Sequence, residues 1–324
     1  MAALGEFELI ERFFRRPARS AVLGIGDDAA LIAPSPGCEL AMSVDMLVSG
    51  RHFFADVDPT ALGHKTLAVN LSDLAAMGAT PRWALLAGAL PVADPVWLGA
   101  FAQGLFALAD AHHVDLIGGD TTQGPLTLCV TIVGEVAAGH ALRRSGARPG
   151  DSIWVSGSLG DAALALAHLQ GHIELDAADF RSCERALLWP EPRVVLGRRL
   201  LGMASAAIDV SDGLTGDLGH VLQASGVGAL LGLEALPCSN AMRRQLSGAA
   251  RETALRCLLA GGDDYELCFT ARNHHAPALR VIAEELGVPV SCVGSICAQR
   301  GLVVRDETGR PLPNMPTAFD HFAD

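Results

Sequence analysis

The hydrophobic and polar positions of the first 138 residues follow two periods, and each period predicts one kind of element. Alternating or continuously apolar runs predict strands over residues 39–48, 82–90, 114–117 and 126–136. Apolar residues three and four positions apart predict helices over residues 58–77 and 94–112. Strands and helices that alternate in this way are typical of α/β or α+β proteins.

A stretch without periodicity separates this region from a second one of the same kind. Residues 139–150 are rich in glycine and arginine, and we interpret them as a linker. The predicted domains are therefore residues 1–138 and residues 151–324. The predicted strands of the second domain are 152–155, 206–210, 265–270 and 290–296, with a short hairpin around Gly301. The predicted class is α/β (α+β) with two domains.

The composition argues against several classes of protein. The formal net charge is −12, whereas nucleic-acid-binding domains usually carry a basic face. No apolar run approaches the roughly 20 residues of a membrane span, and the first residues lack the basic region of a secretory signal. The eight cysteines form no C-x-x-C pair, which predicts buried free thiols in a reducing compartment. We therefore expect a cytoplasmic protein that binds neither nucleic acid nor a membrane.

Three common nucleotide-binding patterns are missing from the sequence. The only lysine, Lys65, follows His64, so the Gly-Lys pair of a P-loop does not occur. Gly24-Ile-Gly26 continues into two aspartates and not into a dinucleotide-binding turn. Protein-kinase signatures are absent as well. The chain therefore needs a different arrangement for any nucleotide that it binds.

Aspartates next to glycine or serine recur at predicted strand ends and turns. Most such acids need no special explanation, because aspartate caps and bends the chain locally. Asp73 differs, since it interrupts an apolar helix, where an unpaired buried carboxylate is unfavourable. Asp45 interrupts an apolar strand, and Ser43 lies two residues away on the same face. Few basic residues lie nearby, so a hard divalent cation such as Mg²⁺ is the predicted partner.

Two further features favour a phosphate group next to these acids. Gly118-Gly119, at the end of a predicted buried strand, allows the backbone to approach a phosphate closely. Arg143 or Arg144, in the predicted linker, supplies a charged fork for a phosphate oxygen. The acids, the glycines and the arginine together indicate a site that holds a polyphosphate through metal ions.

Nine segments of the chain resemble a known family in their order and residue types. They are Gly24-Ile-Gly-Asp-Asp-Ala29, Ser43-Val-Asp45, Gly50-Arg-His-Phe53, Asn70-Leu-Ser-Asp-Leu-Ala-Ala-Met-Gly78, Gly118-Gly-Asp-Thr-Thr122, Arg144-Ser-Gly-Ala-Arg-Pro-Gly-Asp151, Val155-Ser-Gly-Ser-Leu-Gly-Asp161, Ile208-Asp-Val-Ser-Asp-Gly-Leu214 and Gly261-Gly-Asp-Asp-Tyr-Glu-Leu267. They resemble the thiamine-monophosphate kinase family, within the aminoimidazole ribonucleotide synthetase-like superfamily. The resemblance extends from Gly5 to Phe322.

The resemblance implies an activity and an architecture. The activity is transfer of the ATP γ-phosphoryl group to thiamine monophosphate, which gives thiamine diphosphate and ADP. The fold is the two-domain fold of the superfamily, in which the N-terminal domain contributes strands to a dimeric β-barrel. The N-terminal domain would bind ATP and Mg²⁺, the C-terminal domain would complete the nucleotide and substrate site, and a second copy of the chain is the expected partner.

The family's motifs also imply roles for particular residues. Several Mg²⁺ ions would be bound by Asp28, Ser43, the backbone of Val44, Asp45, Asp73, Asp120, Asp209 and Asp212. ATP would be contacted by Gly119, Asp120, Arg144 and Ser211. Thiamine monophosphate would be contacted by His52, Asp263 and Phe319. No general base is expected, because the attacking phosphate oxygen is already anionic near neutral pH, and Arg144 and metal ions would assist the transfer.

Two of these positions depart from the family pattern. Asp263 stands where the family commonly has glutamate, and the shorter side chain withdraws the carboxylate by about 1.5 Å. Direct contact with the substrate, a bridging water and a larger role for Asp264 stay open. Phe319 stands where relatives tend to have Trp or Tyr, so both stacking on the substrate and packing on the core stay open.

Two other functions compete with the kinase interpretation. Another ATP-dependent enzyme of the superfamily would act on a different acceptor. A non-catalytic metal- or nucleotide-binding protein would bind its ligand without forming ADP. The intact set of aspartates favours the kinase over the binding protein.

Overall fold

The chain folds into two compact units. The structure, a computed structural model, describes residues 5–313 and 315–316. The first unit comprises residues up to Leu74 together with Ala79–Gly139, and the second comprises Ala75–Gly78 and the residues from His140 onwards. From His140 onwards, the stretch predicted as a linker belongs to the second unit. Its backbone is hydrogen-bonded there, since the carbonyl of Arg143 accepts the Ala207 N–H at 2.9 Å.

The first unit is a four-stranded sheet with helices. Its elements are α1 (Glu6–Leu9), a π-helical turn (Ile10–Phe14), β1 (Cys38–Val48), α2 (Pro59–Ala76), β2 (Thr80–Leu90), α3 (Pro95–Ala111), β3 (Asp115–Gln123) and β4 (Thr127–Ala137). The strand order is β1-β4-β2-β3. The pairs β1–β4 and β4–β2 are antiparallel, and β2–β3 is parallel. The described sheet is open, with β1 and β3 at its edges.

Local sequence signals explain how the two long helices of this unit begin and pack. Asp94 caps α3 by accepting the Val96 N–H at 2.9 Å, and Pro95 occupies the first turn, where its missing N–H is not needed. α2 and α3 approach each other backbone to backbone at Gly63 and Gly104. A Cβ at Gly63 would overlap the carbonyl oxygen of Phe101, so a side chain there would force the helices apart.

The second unit is built on a six-stranded mixed sheet. Its elements are β5 (Ser152–Ser156), α4 (Asp161–Leu169), α5 (Ala177–Leu188), α6 (Val194–Arg199), β6 (Ala204–Val210), α7 (Leu214–Ser225), β7 (Gly228–Gly232), α8 (Asn240–Leu246), α9 (Arg251–Ala260), β8 (Glu266–Ala271), α10 (Ala276–Leu286), β9 (Val290–Cys297) and β10 (Gly301–Arg305). The strand order is β10-β7-β9-β5-β8-β6. Apolar side chains of the sheet and its helices, among them Ile153, Ile208 and Leu218, form one core cluster.

The mixture of helices and strands in both units confirms the predicted α/β (α+β) class. Two strand predictions need correction. β3 does not end before Gly118 but continues through Gly119 and Asp120 to Gln123, because these residues pair with Leu85, Leu86 and Ala87 of β2. The strand at Gly301 is not half of a hairpin with β9, since it pairs in parallel with β7.

None of the helices in the described part of the chain combines the length and the apolar character that a membrane span requires.

Candidate active site

Two of the predicted metal ligands meet between β1 and α2. Ser43 and Asp45 lie on the same face of β1, and α2 presents Asn70 and Asp73. The Ser43 hydroxyl donates a hydrogen bond to the Asp73 carboxylate. Two residues further along β1, the backbone N–H of Asp45 donates to Oδ1 of Asn70 at 3.2 Å. The structure therefore brings Ser43 and Asp73 together although they lie 30 positions apart along the chain, and it places the backbone of Asp45 beside Asn70.

Asn70 holds β1 against the helix. It is completely buried, its Nδ2 donates to the Thr66 carbonyl at 3.1 Å, and its Oδ1 accepts the Asp45 N–H. Both ends of the amide are thus engaged, as burial of a polar group requires. Asn70 belongs to a family motif, although the sequence alone indicates no function for it. Its contacts identify it as the residue that fixes the backbone at Asp45.

A second group of predicted site residues lines a cavity of about 810 Å³ in the first unit. Its polar lining includes Asp27, Asp28 and Asp120, all of which are exposed. Its apolar lining includes Trp97 and Phe101, whose rings stack with their centroids 5.3 Å apart. A cavity with an apolar wall and a few polar groups in its lining is the usual form of a small-molecule site.

Cys129 connects this cavity with the residues on β1. It contributes to the cavity wall, and its thiol pKa is raised by burial and, to a smaller extent, by the negative charge of Asp45. The negative charge of Asp45 therefore affects a side chain of the cavity wall. The raised pKa keeps the thiol protonated near neutral pH, so Cys129 is not a reactive thiolate.

Gly119 is glycine because the sheet requires it. The register between β2 and β3 shifts between Ala84 and Leu85, and Gly119 follows this irregularity with φ = +153°. A Cβ at Gly119 would overlap the carbonyl oxygen of Leu86. Gly118 faces no such conflict, since the nearest atom to its Cβ position is a Leu85 methyl at 3.4 Å. The sequence predicted that Gly118 and Gly119 allow a phosphate to approach the backbone. The structure gives a further reason for Gly119, because strand packing leaves no room for a side chain there.

His52 lies in the turn that follows β1, and its ring orientation is defined. Its Nδ1 accepts the backbone N–H of Val48 at 3.0 Å, while the backbone N–H of His52 donates to the Val48 carbonyl at 2.9 Å. An imidazole nitrogen that accepts carries no proton, so Nε2 carries the proton of the neutral ring. His52 is consequently prepared to donate from Nε2.

In the second unit, Ser211 and Asp212 occupy the turn between β6 and α7. Asp217, which sequence analysis did not select, accepts the backbone N–H groups of both residues at 3.0 Å through one carboxylate oxygen. Burial raises the Asp217 pKa to about 7, although the two N–H bonds and the charge of Arg144 act in the opposite direction. The only sequence signal for Asp217 is an acid in the first turn of α7.

Arg144 and Asp209 belong to the same unit. Arg144 is exposed, and its carbonyl accepts a hydrogen bond from the Ser225 hydroxyl at 3.2 Å. Its charge lowers the Asp217 pKa, as the smallest of the causes that act on that group. Asp209 lies near the end of β6, where it is buried and pairs with Leu267 of β8.

The segment Gly261–Tyr265 lies against this turn. The N–H of Asp263 donates to the Ser211 carbonyl at 2.9 Å, and the N–H of Tyr265 donates to the Val210 carbonyl at 2.8 Å. The hydroxyl of Tyr265 donates to Oδ1 of Asp263 at 3.0 Å. The structure thus brings the predicted nucleotide residue Ser211 and the predicted substrate residue Asp263 into direct backbone contact.

Asp264 is turned away from this surface. Its Oδ1 accepts the Gly160 N–H at 2.8 Å, and its Oδ2 is buried without a hydrogen-bond partner among the described residues. Burial raises the Asp264 pKa well above its ordinary value, and the nearby charges of Glu266, Asp161 and Asp263 act in the same direction. Asp264 therefore supports the loop through its contact with Gly160.

The donor set suits Mg²⁺, although the acids do not converge tightly. Within residues 5–313, no three His, Cys, Asp or Glu side chains lie close enough together to hold a metal ion. The hydroxyl and carboxylate oxygens at Ser43, Asp45 and Asp73 are nevertheless the hard ligands that Mg²⁺ prefers. Phe319, the third predicted substrate residue, lies outside the described residues.

Comparison with known proteins first defines the class. The model of the AIR synthase related protein N-terminal domain matches residues 26–136, and that of the C-terminal domain matches residues 148–307. Hydrogenase maturation protein HypE in complex with ATP has a similar fold, since it superimposes with a TM-score of 0.77 at 23% identity, over 97% of this chain and 95% of that one.

More similar proteins define the family. Thiamine-monophosphate kinase of Salmonella typhimurium is 49% identical over 99% of both chains, and that of Escherichia coli K12 is 48% identical over the same shares. The crystal structure of thiamine-monophosphate kinase from Stenotrophomonas maltophilia superimposes with a TM-score of 0.84 at 50% identity, covering 93% of this chain and 96% of that one. The chain belongs to the thiamine-monophosphate kinase family, which confirms the interpretation of the sequence motifs.

One further structural relative carries ligands. AaThiL complexed with AMPPCP and TMP superimposes with a TM-score of 0.76 at 28% identity, over 90% of this chain and 89% of that one.

Proposed function

We propose that this chain is a kinase that transfers the γ-phosphoryl group of ATP to thiamine monophosphate. The observation that carries the proposal is the hydrogen bond from the Ser43 hydroxyl to the Asp73 carboxylate, which joins two of the oxygen donors proposed to hold Mg²⁺. Transfer between ATP and a second phosphate compound requires divalent cations that neutralise their charges and hold the reacting groups in line. Family membership at 49% identity over nearly the full length supports the same activity.

The proposed nucleotide contacts are Gly119, Asp120, Arg144 and Ser211. Gly119 and Asp120 contribute from β3 beside the cavity, and the apolar wall with Trp97 suits an uncharged base. Arg144 and Ser211 contribute from the second unit. Arg144 is exposed and always charged, so its guanidinium is available to phosphate oxygens. The relative AaThiL, which was crystallised with AMPPCP, supports a nucleotide in this family.

Mg²⁺ is the proposed metal, held by the aspartates and by the serine that the family motifs imply. The ligands we propose are Asp28, Ser43, the carbonyl of Val44, Asp45, Asp73, Asp120, Asp209 and Asp212. Bound Mg²⁺ would neutralise the charge that ATP, thiamine monophosphate and these carboxylates bring to one site. The contact between Ser43 and Asp73 supports the proposal, since it already joins two of the oxygen donors.

The transfer needs little proton chemistry from the protein. A phosphate oxygen of thiamine monophosphate is largely deprotonated above its second pKa of about 6 and attacks the γ-phosphorus directly. The bond from the γ-phosphorus to the bridging oxygen breaks, and ADP leaves with that electron pair. Arg144 stabilises the charge on the transferred group, and His52 donates from Nε2 to the substrate. Asp263 holds the end of the substrate that is distant from the phosphate, together with Phe319.

A homodimer is the proposed assembly. Leu40, Met42, Val44 and Met46 alternate along the edge strand β1, and all four side chains are exposed, Met42 by 65%. Four exposed apolar residues on one face of an edge strand form a patch that soluble monomers usually avoid. A second copy of β1 would cover this patch and extend the open sheet toward the barrel expected for the family. A cytoplasmic location is proposed too, supported by eight free cysteines.

One assay tests the activity. Purified protein is incubated with ATP and Mg²⁺, with and without thiamine monophosphate, and both ADP and thiamine diphosphate are quantified by chromatography. Thiamine diphosphate that depends on both thiamine monophosphate and Mg²⁺ is the expected result. Formation of ADP without thiamine diphosphate would indicate an ATP-dependent enzyme that acts on a different acceptor. Bound ATP without any ADP would favour a binding protein.

A further inference from the structure

Tyr265 is the only tyrosine of the chain, and it occupies a strained position. Its φ is +49°, and that of Asp263 is +67°. Left-handed backbone is unfavourable for residues with a side chain, most of all for a bulky aromatic one. Two such residues within one loop persist only because the surrounding structure holds them.

Four contacts hold the loop in this conformation. The N–H groups of Asp263 and Tyr265 donate to the carbonyls of Ser211 and Val210. Gly262 packs so closely on Ser211 that a Cβ would lie 2.5 Å from its carbonyl oxygen. Oδ1 of Asp264 accepts a hydrogen bond from the Gly160 N–H. The strained backbone is therefore specified by neighbours on several sides.

The strained loop brings the side chains of Tyr265 and Asp263 together. The Tyr265 ring is buried, and its hydroxyl donates to Oδ1 of Asp263 at 3.0 Å. A hydrogen bond to one oxygen fixes the rotation of the whole carboxylate plane. Because Asp263 has one rotatable bond fewer than the glutamate common in the family, its backbone and this hydrogen bond together determine where its carboxylate lies.

We propose that Tyr265 is a positioning residue, and through Asp263 a determinant of specificity for the amine-bearing ring of the acceptor. The inference rests on the proposed function, in which Asp263 faces thiamine monophosphate. A carboxylate held at a fixed angle accepts a hydrogen bond from an amino group and disfavours an oxygen acceptor at the same place. Tyr265 thereby acts on binding of the acceptor and not on transfer of the phosphoryl group.

Tyr265→Phe removes the hydroxyl and keeps the buried ring. We expect the KM for thiamine monophosphate to rise about tenfold, because the lost bond involves a charged group. The kcat and the KM for ATP should change by less than about twofold. Preference for thiamine monophosphate over oxythiamine monophosphate, in which a carbonyl replaces the amino group, should fall by a similar factor of about ten.

Ser247→Ala is the matched control, since it removes another hydroxyl of the second unit, one that donates to the Arg243 carbonyl at 3.0 Å. It should alter none of these parameters. An unchanged KM for thiamine monophosphate in Tyr265→Phe overturns the proposal, as does an equal rise in the KM for ATP. Wild-type protein that forms no thiamine diphosphate overturns the proposed function itself, so the two failures are distinguishable.

A second measurement covers a variant that does not fold. Incorporation of 3-fluorotyrosine gives wild-type protein a single fluorine resonance, because the chain has one tyrosine. Thiamine monophosphate, added without ATP, should shift this resonance. Asp263→Asn should reduce the shift. A resonance that does not respond to thiamine monophosphate in active wild-type protein overturns the role of Tyr265.

Discussion

Glu266, the first residue of β8, accepts two parallel hydrogen bonds from the guanidinium of Arg193, from Nε at 2.7 Å and from Nη2 at 2.5 Å. Both side chains are largely buried. The Ser156 hydroxyl donates to the same carboxylate at 2.5 Å and accepts the Leu267 N–H at 2.8 Å. This network joins β5 and β8 directly behind the loop that carries Asp263 and Tyr265.

Arg193→Leu should destabilise the second unit strongly. The Glu266 charge would remain buried without its partner, which lowers the free energy of unfolding by about 3–5 kcal/mol. The double variant Arg193→Leu/Glu266→Leu should lose less unfolding free energy, because no charge then remains buried without a partner. Urea denaturation measures the free energy of unfolding of both variants. Arg185→Leu is the control, because Arg185 pairs with Glu191 at 3.4 Å on the exposed surface and should change stability little. Equal losses in the two arginine variants would contradict the assigned role.

Gly119→Ala should damage the first unit, whereas Gly118→Ala should be tolerated by the fold. Only the alanine at position 119 overlaps the Leu86 carbonyl and requires φ near +153°. We expect a loss of at least about 1–3 kcal/mol in unfolding free energy for Gly119→Ala. Thermal unfolding followed by circular dichroism provides the comparison. If both variants unfold at the wild-type temperature, strand packing does not explain Gly119.

Asp73→Asn should abolish turnover without loss of the fold. The variant removes a carboxylate that faces Ser43 and contributes to the proposed Mg²⁺ ligands. We expect kcat to fall at least about a hundredfold, with an unchanged thermal unfolding transition. Asp56→Asn, at an exposed position of the same unit, serves as control and should retain full activity. Near-normal activity of Asp73→Asn would exclude the metal assignment.

The pH dependence of stability should reveal Asp264. Burial raises its folded-state pKa, so the folded state binds a proton that the unfolded state releases above about pH 4. The contribution of Asp264 to stability is thus complete below that pH and is lost as the pH rises toward the folded-state pKa. Asp264→Asn keeps an oxygen for the Gly160 N–H and cannot ionise, so its stability relative to wild type should increase with pH.

The comparison is made by urea denaturation of wild type and variant at about pH 5 and about pH 8. Asp306→Asn is the control. Hydrogen bonds from Thr308 and Arg310 lower the Asp306 pKa, so this carboxylate is ionised throughout that range. Its difference from wild type should be the same at both pH values. A pH-independent difference for Asp264→Asn would show that Asp264 is ionised in the folded protein.

Met42→Glu should separate the proposed dimer into monomers. The glutamate would place a charge in the apolar face of β1 that a second copy is proposed to cover. Sedimentation velocity of wild type and variant measures the assembly. Val96→Glu changes an apolar residue that is 80% exposed on α3 and should leave the assembly unchanged. A wild-type protein that sediments as a monomer would refute the proposed homodimer.

The sequence was most informative where the structure depends on neighbours along the chain. The apolar period predicted β1 and α2 to within a residue or two of Cys38–Val48 and Pro59–Ala76, since side chains two apart share a strand face and those three or four apart share a helix face. Asp94-Pro95 marked the start of α3. The short strand β7, which contains two glycines among five residues, carried too weak a pattern to be predicted.

The candidate site divides in the same way. The motifs by themselves determined the family and the residues to examine, because residue types and local spacing are written in the chain. Only the tertiary structure decided that β10 pairs with β7, that Asp217 holds the turn at Ser211, that Leu86 requires a glycine at position 119 and that Tyr265 orients Asp263. Strand register, backbone clashes and buried hydrogen bonds join residues that the folded chain brings together, and no local pattern records which partners will meet.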